Sequence, residues 1–287
     1  MKTQALFLVL LLSGCGPHET VISSHEAIIN GESCTEQQFP ASLELIRRVG
    51  ESVASLCGAT LIAPDVALTA AHCVAEFMMP TSTLPDDFRY YVTPRADMQT
   101  YSSEEFDSDS TTMIAVHAIL MHGGYSQIRS PGPHHDMALL FLSRRSSIPP
   151  AQLITPQEAN HLIPGLTAYI VGWGQQAIGL KGTVNTPPTK HCASTFVNAL
   201  TQLEMQLGSS EYSAHKCFGD SGGATYVQFE PTVLGAAPPL RFAGVTSYGK
   251  DNDCRKGGFD TRVDAYYDWI QQTMQEGCEK GYRVSCD

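Results

Sequence analysis

The chain is short of positive charge and of long apolar runs, and each shortage excludes a class of function. Its 18 Lys and Arg stand against 29 Asp and Glu, a formal net charge of −11 at pH 7. A surface so poor in cations argues against a nucleic-acid partner and against attraction to anionic lipid. The apolar run at residues 5–12 is too short for a bilayer, which takes about 20 residues. Internal repeats are absent, and no low-complexity linker is long enough to set off another domain. The acidic run at 104–109 lacks the glycine and ligand spacing of an EF-hand and reads as a solvated loop. His117, His122, His134 and His135 show no tetrahedral ligand pattern, so no metal or other cofactor is expected.

What is present begins with an export signal. Lys2 followed by the run at 5–12 fits the apolar core of a secretory signal. Leu12-Ser13-Gly14-Cys15 then looks like a bacterial lipobox, making 1–14 the signal, Cys15 the lipidated residue and 15–27 a linker or propeptide. On that reading the mature chain is an outer-membrane or cell-surface lipoprotein that touches the membrane only through its acyl chains. Cleavage near Gly14 or Gly16 and release as a secreted protein is the competing reading. The chain has 9 cysteines. Removing Cys15 leaves an even set able to form four disulfides in an oxidising compartment, on either reading of the leader.

Short β-rich runs bounded by Gly, Pro, Asn or Asp are expected at 41–47, 53–62, 66–69, 114–121, 138–142, 167–171, 225–229 and 242–248. Such a series is typical of antiparallel sandwiches or barrels, and the length allows one large β domain or two small barrels. Val263, Tyr266, Tyr267 and Ile270 repeat at helical spacing, so one helix is expected there, with Trp269 within it and Gly277 as its stop.

The most informative stretch is Lys216-Cys217-Phe218-Gly219-Asp220-Ser221-Gly222-Gly223-Ala224. Paired glycines disfavour helix and strand but permit a tight exposed turn. There the Gly219 and Ser221 N–H groups can point into one concavity and bind a developing oxyanion. This stretch resembles the GDSGG signature of the trypsin/chymotrypsin-like serine peptidases, in which the serine is the acyl nucleophile. Thr69-Ala70-Ala71-His72-Cys73 resembles the family's TAAHC motif, and Asp136-Met137-Ala138-Leu139-Leu140 its aspartate motif. The order His, Asp, Ser is that of chymotrypsin and not of subtilisins or α/β-hydrolases. The resemblance implies His72 as general base, Asp136 as its orienter and Ser221 as nucleophile. It also implies an all-β fold of two antiparallel six-stranded barrels with a C-terminal helix over residues 28–277, acting as a monomer on protein or peptide substrates.

Further expectations follow from the same resemblance. Ile28-Ile29-Asn30-Gly31 is similar to the start of the mature family chain, so cleavage after Ala27 would free an α-amino group to pair with Asp220. Ala27 is not the Lys or Arg of tryptic self-activation. The implied disulfides are Cys57–Cys73, Cys217–Cys254, Cys34–Cys192 and, by remainder, Cys278–Cys286 in a tail over 278–287. The substrate pocket would be built by His215 at its base with Lys216, Ser247, Tyr248, Gly249 and Gly258. His215 stands where a trypsin carries aspartate, so cleavage after Lys or Arg is not expected, and acidic, aromatic or polar residues are. A binding or adhesion protein on a peptidase scaffold is the alternative function.

Overall fold

A computed structural model of the chain describes residues 28–49, 52–75, 88–97, 112–126, 134–174, 189–210, 212–229, 239–251, 254 and 256–286. The expected signal, Cys15, the linker up to Ala27 and the acidic run at 104–109 lie outside them. The strands are β1 (Glu32–Ser33), β2 (Ser42–Val49), β3 (Ser52–Ala63), β4 (Val66–Thr69), β5 (Phe88–Thr93), β6 (Ile114–Met121) and β7 (Ala138–Leu142). They continue with β8 (Thr167–Gly172), β9 (His191–Leu200), β10 (Glu204–Leu207), β11 (Ala224–Gln228), β12 (Leu240–Gly249) and β13 (Gly258–Arg262). The α-helices are α1 (His72–Ala75) and α2 (Tyr267–Glu279), and short 3-10 turns lie at Glu158–His161 and Asp264–Tyr266.

Strands β2 to β7 close an antiparallel barrel in the order β2-β3-β4-β7-β6-β5. Strands β8 to β13 close a second one, because β8 pairs with both β9 and β11, and β1 adds to the edge of β9. Closure pairs every strand edge, so neither barrel leaves an open row of amides. Buried side chains fill the core, among them Leu43, Leu61 and Leu140 from the first barrel and Ile170, Val227, Phe242 and Val245 from the second. All five residues of β7 are buried, since one face meets the barrel core and the other meets α2.

Five strands, β1, β5, β9, β10 and β13, fall where no strand was expected from sequence, and burial explains two of them. In β9 the outward Phe196 is 58% exposed while the inward Thr195 is 4% exposed, so the hydrophobic alternation is inverted there. In β13 the buried residues are Asp260 and Thr261, which carry no apolar signal at all.

Helix α2 corrects another expectation. It runs through Gly277 and ends near Gly281, which has φ +70°. A Cβ on Gly277 would lie 2.2 Å from Phe141 Cε1, so this glycine is a close-packing position and not a stop. The boundary drawn at 277/278 therefore falls inside the helix. The segment beyond packs back on the first barrel, with Tyr282 5.8 Å from the Phe141 ring and Arg283 paired to the buried Asp65 at 2.8 Å.

Disulfides join Cys34–Cys192, Cys57–Cys73, Cys217–Cys254 and Cys278–Cys286. The Cys57–Cys73 bridge spans 16 residues, worth about 3 kcal/mol of loop entropy.

Candidate active site

His72 opens α1 directly after β4, and Asp136 immediately precedes Met137 and β7, its neighbour across the first barrel. The His72 backbone N–H donates to Asp136 Oδ1 at 2.9 Å, and the ring Nδ1 lies 2.7 Å from Oδ2. A carboxylate only accepts, so Nδ1 carries the proton and Nε2 is left as the basic nitrogen. The second barrel completes the grip: Ser247 Oγ of β12 donates to Asp136 Oδ2 at 2.5 Å, and Thr261 Oγ1 of β13 donates to the Asp136 carbonyl at 3.4 Å. Burial works to raise the Asp136 pKa, but the bonds and charge of His72 and the Ser247 hydroxyl hold it below the usual carboxylate value.

The nucleophile loop is a tight turn between β10 and β11. Asp220 N–H donates to Cys217 O at 3.1 Å and Gly223 N–H to Asp220 O at 2.9 Å, with Gly219 at φ +89° and Gly222 at φ +74°. It rests on the first barrel, where Gly58 N–H donates to Ser221 O at 2.7 Å. A Cβ on Gly58 would stand 2.6 Å from Gly223 Cα, so the two barrels meet through bare backbone. The N–H groups of Gly219 and Ser221 have no partner among the described residues. His72 and Ser221 line one cavity of about 910 Å³.

Of the expected pocket residues, Lys216, Ser247, Tyr248, Gly249 and Gly258 line this cavity and His215 does not. His215 is fully buried, with Nδ1 2.6 Å from Ser213 O and Nε2 against Cys254 O, while its backbone pairs with Ile29. Both ring nitrogens are taken up by carbonyls, which turns the side chain away from substrate. The buried cation that lines the cavity is Lys216 instead, paired with Asp260 at 2.8 Å. Burial pushes the Lys216 pKa down, and the charges of Asp260 and Asp220 partly restore it.

The trypsin family's sequence profile matches residues 28–270. This chain belongs to the trypsin family. It is 29% identical to the CLIP domain-containing serine protease B10 of Anopheles gambiae, over 87% of this chain and 70% of that protein. It is 27% identical to human chymotrypsin-like elastase family member 3A, over 94% of this chain and 96% of that one. Kallikrein-15 of Saguinus oedipus is 27% identical over 86% of this chain and 91% of its own. The protein is thus a serine endopeptidase, a hydrolase whose substrates are peptides or proteins. Its disulfides fit an oxidising compartment.

In this trypsin-family chain Asp220 is wholly enclosed. Its Oδ1 accepts Gly174 N–H at 2.8 Å and its Oδ2 accepts Cys217 N–H at 2.9 Å. A Cβ on Gly172 or Gly174 would come within 2.0 Å or 2.6 Å of Oδ1, which is why Trp173 is flanked by glycines. Burial raises the Asp220 pKa to about 7, against the two amide bonds and the Lys216 charge. Ile28 is fully buried too, and Ile29 pairs with His215 beside this loop.

Sequence reasoning missed Asp260 and Glu204 here and gave His134 no part in the substrate cavity. Asp260 lines the cavity, and the only sequence signal was an acid between Phe259 and Thr261 in an otherwise unremarked run. His134 also lines it, with its ring 5.1 Å from Tyr248. Glu204 accepts the Tyr248 hydroxyl at 3.0 Å, which holds that cavity wall in place. Cys57, His72 and Cys73 bring ligand-type atoms together, but the two sulfurs are bonded to each other and offer no thiolate.

Proposed function

We propose that this endopeptidase works through an acyl-enzyme on Ser221. The observation that carries the reading is the His72–Asp136 couple at 2.7 Å, opening on the same cavity as a serine turn whose two amides have no partner among the described residues. His72 Nε2 takes the Ser221 proton as Oγ attacks the scissile carbonyl, and the Gly219 and Ser221 N–H groups receive the oxyanion. His72⁺, steadied by Asp136, returns the proton to the leaving amine. Water then repeats the sequence on the ester and frees the acid product. Ser247 and Tyr248 to Gly249 border the substrate backbone, and Gly258 leaves the pocket wall open.

The chain is made as a zymogen. Asp220 has two amide donors but no cation in direct contact among the described residues, and an α-ammonium released at Ile28 supplies one. Without it the Gly219 and Ser221 turn loses its support. The enzyme is exported, through a lipidated Cys15 or as a secreted monomer, and does not favour Lys or Arg before the cut.

A serine-directed phosphonate tests the chemistry. Chain processed at Ile28 should take the label on Ser221, the Ser221→Ala variant should not, and turnover should fall by several powers of ten. Processed wild-type chain that neither labels nor cleaves would refute the assignment. N-terminal sequencing of active enzyme should read from Ile28.

A further inference from the structure

The cavity lined by His72 and Ser221 is also lined by two buried charges that the proposed chemistry does not use. Lys216 Nζ lies 2.8 Å from Asp260 Oδ2, 2.7 Å from Thr225 Oγ1 and 3.4 Å from the Gly223 carbonyl. An ammonium has three protons, and these acceptors occupy all three. The Thr225 hydroxyl donates a hydrogen bond to Asp260 Oδ2 at 2.5 Å. Asp260 Oδ2 therefore receives two donors, whereas Oδ1 receives none among the described residues. Both side chains line the cavity, at 4% and 2% exposure.

The floor carries no net charge, and each kind of entering side chain meets it differently. Lys or Arg would add a positive charge to a site whose Asp260 carboxylate is already paired with Lys216, which is costly in a buried site. Glu or Asp would add a negative charge facing an ammonium whose protons are already committed. An uncharged side chain bearing an N–H or O–H donor adds no charge and meets the open Oδ1. The geometry points to Lys216 and Asp260 as the specificity-determining pair of this cleft, selecting an uncharged hydrogen-bond donor, glutamine in the simplest case, before the cut. This deepens the peptidase reading and rests on it.

The pair is tested with peptides that differ only in that residue, Gln, Glu, Arg or Phe, cleaved by processed wild type, Lys216→Gln and Asp260→Asn. A hydrogen bond to a charged group discriminates by about tenfold or more. Wild type should favour Gln over both Arg and Glu by that factor. Lys216→Gln leaves the Asp260 carboxylate without its counter-ion, so the Arg-to-Gln ratio of kcat/KM should rise about tenfold or more. Asp260→Asn releases the ammonium, so the Glu-to-Gln ratio should rise instead. Unchanged profiles in both variants, or wild type cutting after Arg as readily as after Gln, overturns the proposal.

Phosphonate titration of each sample counts competent sites, so misfolding is read as lost sites and not as altered preference. Should both single variants lose their sites, the double variant Lys216→Met with Asp260→Leu removes the charges together. It should keep its sites and turn from Gln to Phe; a retained Gln preference there overturns the proposal as well. Wild-type chain that takes no label at all defeats the peptidase reading, and this pair's role with it.

Discussion

Glu44 sits on β2 with its carboxyl group fully buried, so exchanging it for glutamine should change how stability depends on pH. Burial raises its pKa from 4.5 to about 8, and the nearby Ser55 hydroxyl offsets this only in part. Between those values the folded chain holds a proton that the unfolded chain has released. The stability this group confers is therefore complete below 4.5 and drains away as pH rises to about 8. At about 1.4 kcal/mol per pH unit, the wild type should lose roughly 4 kcal/mol between pH 5 and pH 8 from this residue. Glu44→Gln keeps the shape and cannot ionise, so it should match the wild type at pH 5 and exceed it at pH 8. Guanidinium unfolding of both oxidised chains at the two pH values measures the difference. Comparing the two isolates Glu44 from Asp220, whose raised pKa acts in the same direction. Parallel curves for the two chains would refute the reasoning.

Three further outcomes follow from contacts already described. Gly277→Ala puts a methyl 2.2 Å from the Phe141 ring and should cost about 1–3 kcal/mol, read as a lowered Tm with unchanged cleavage. Arg283→Ala strands Asp65 without the guanidinium that pairs with it at 2.8 Å; thermal unfolding should show a loss of about 3 kcal/mol. Ser247→Ala removes the 2.5 Å donor on Asp136, and kcat should fall about tenfold with KM nearly unchanged.

How far the site could be read beforehand depended on where each residue's partner lies in the chain. The turn around Ser221 was legible because its demands are local: Gly219 and Gly222 adopt φ values of +89° and +74°, which glycine tolerates and other residues resist. His72 and Asp136 each stand beside an apolar strand, β4 or β7, and those strands show in the residue pattern. The pocket floor was misjudged for the opposite reason. Adjacent residues in a turn point to different sides, and only the packed chain shows that His215 faces the Ser213 and Cys254 carbonyls while Lys216 faces the cleft.

The sequence by itself determined the family, the all-β class, the order of the three catalytic motifs and the supply of cysteines, because these are written in contiguous residues with strong local backbone requirements. Tertiary structure alone decided that Lys216 meets Asp260 across 44 residues and that Ser247 caps Asp136 across 111. It also decided that Gly277 admits the Phe141 ring instead of ending a helix. Those pairings follow from strand register and the seating of one barrel on the other, and a register is a property of two strands together, which neither strand's residues carry alone.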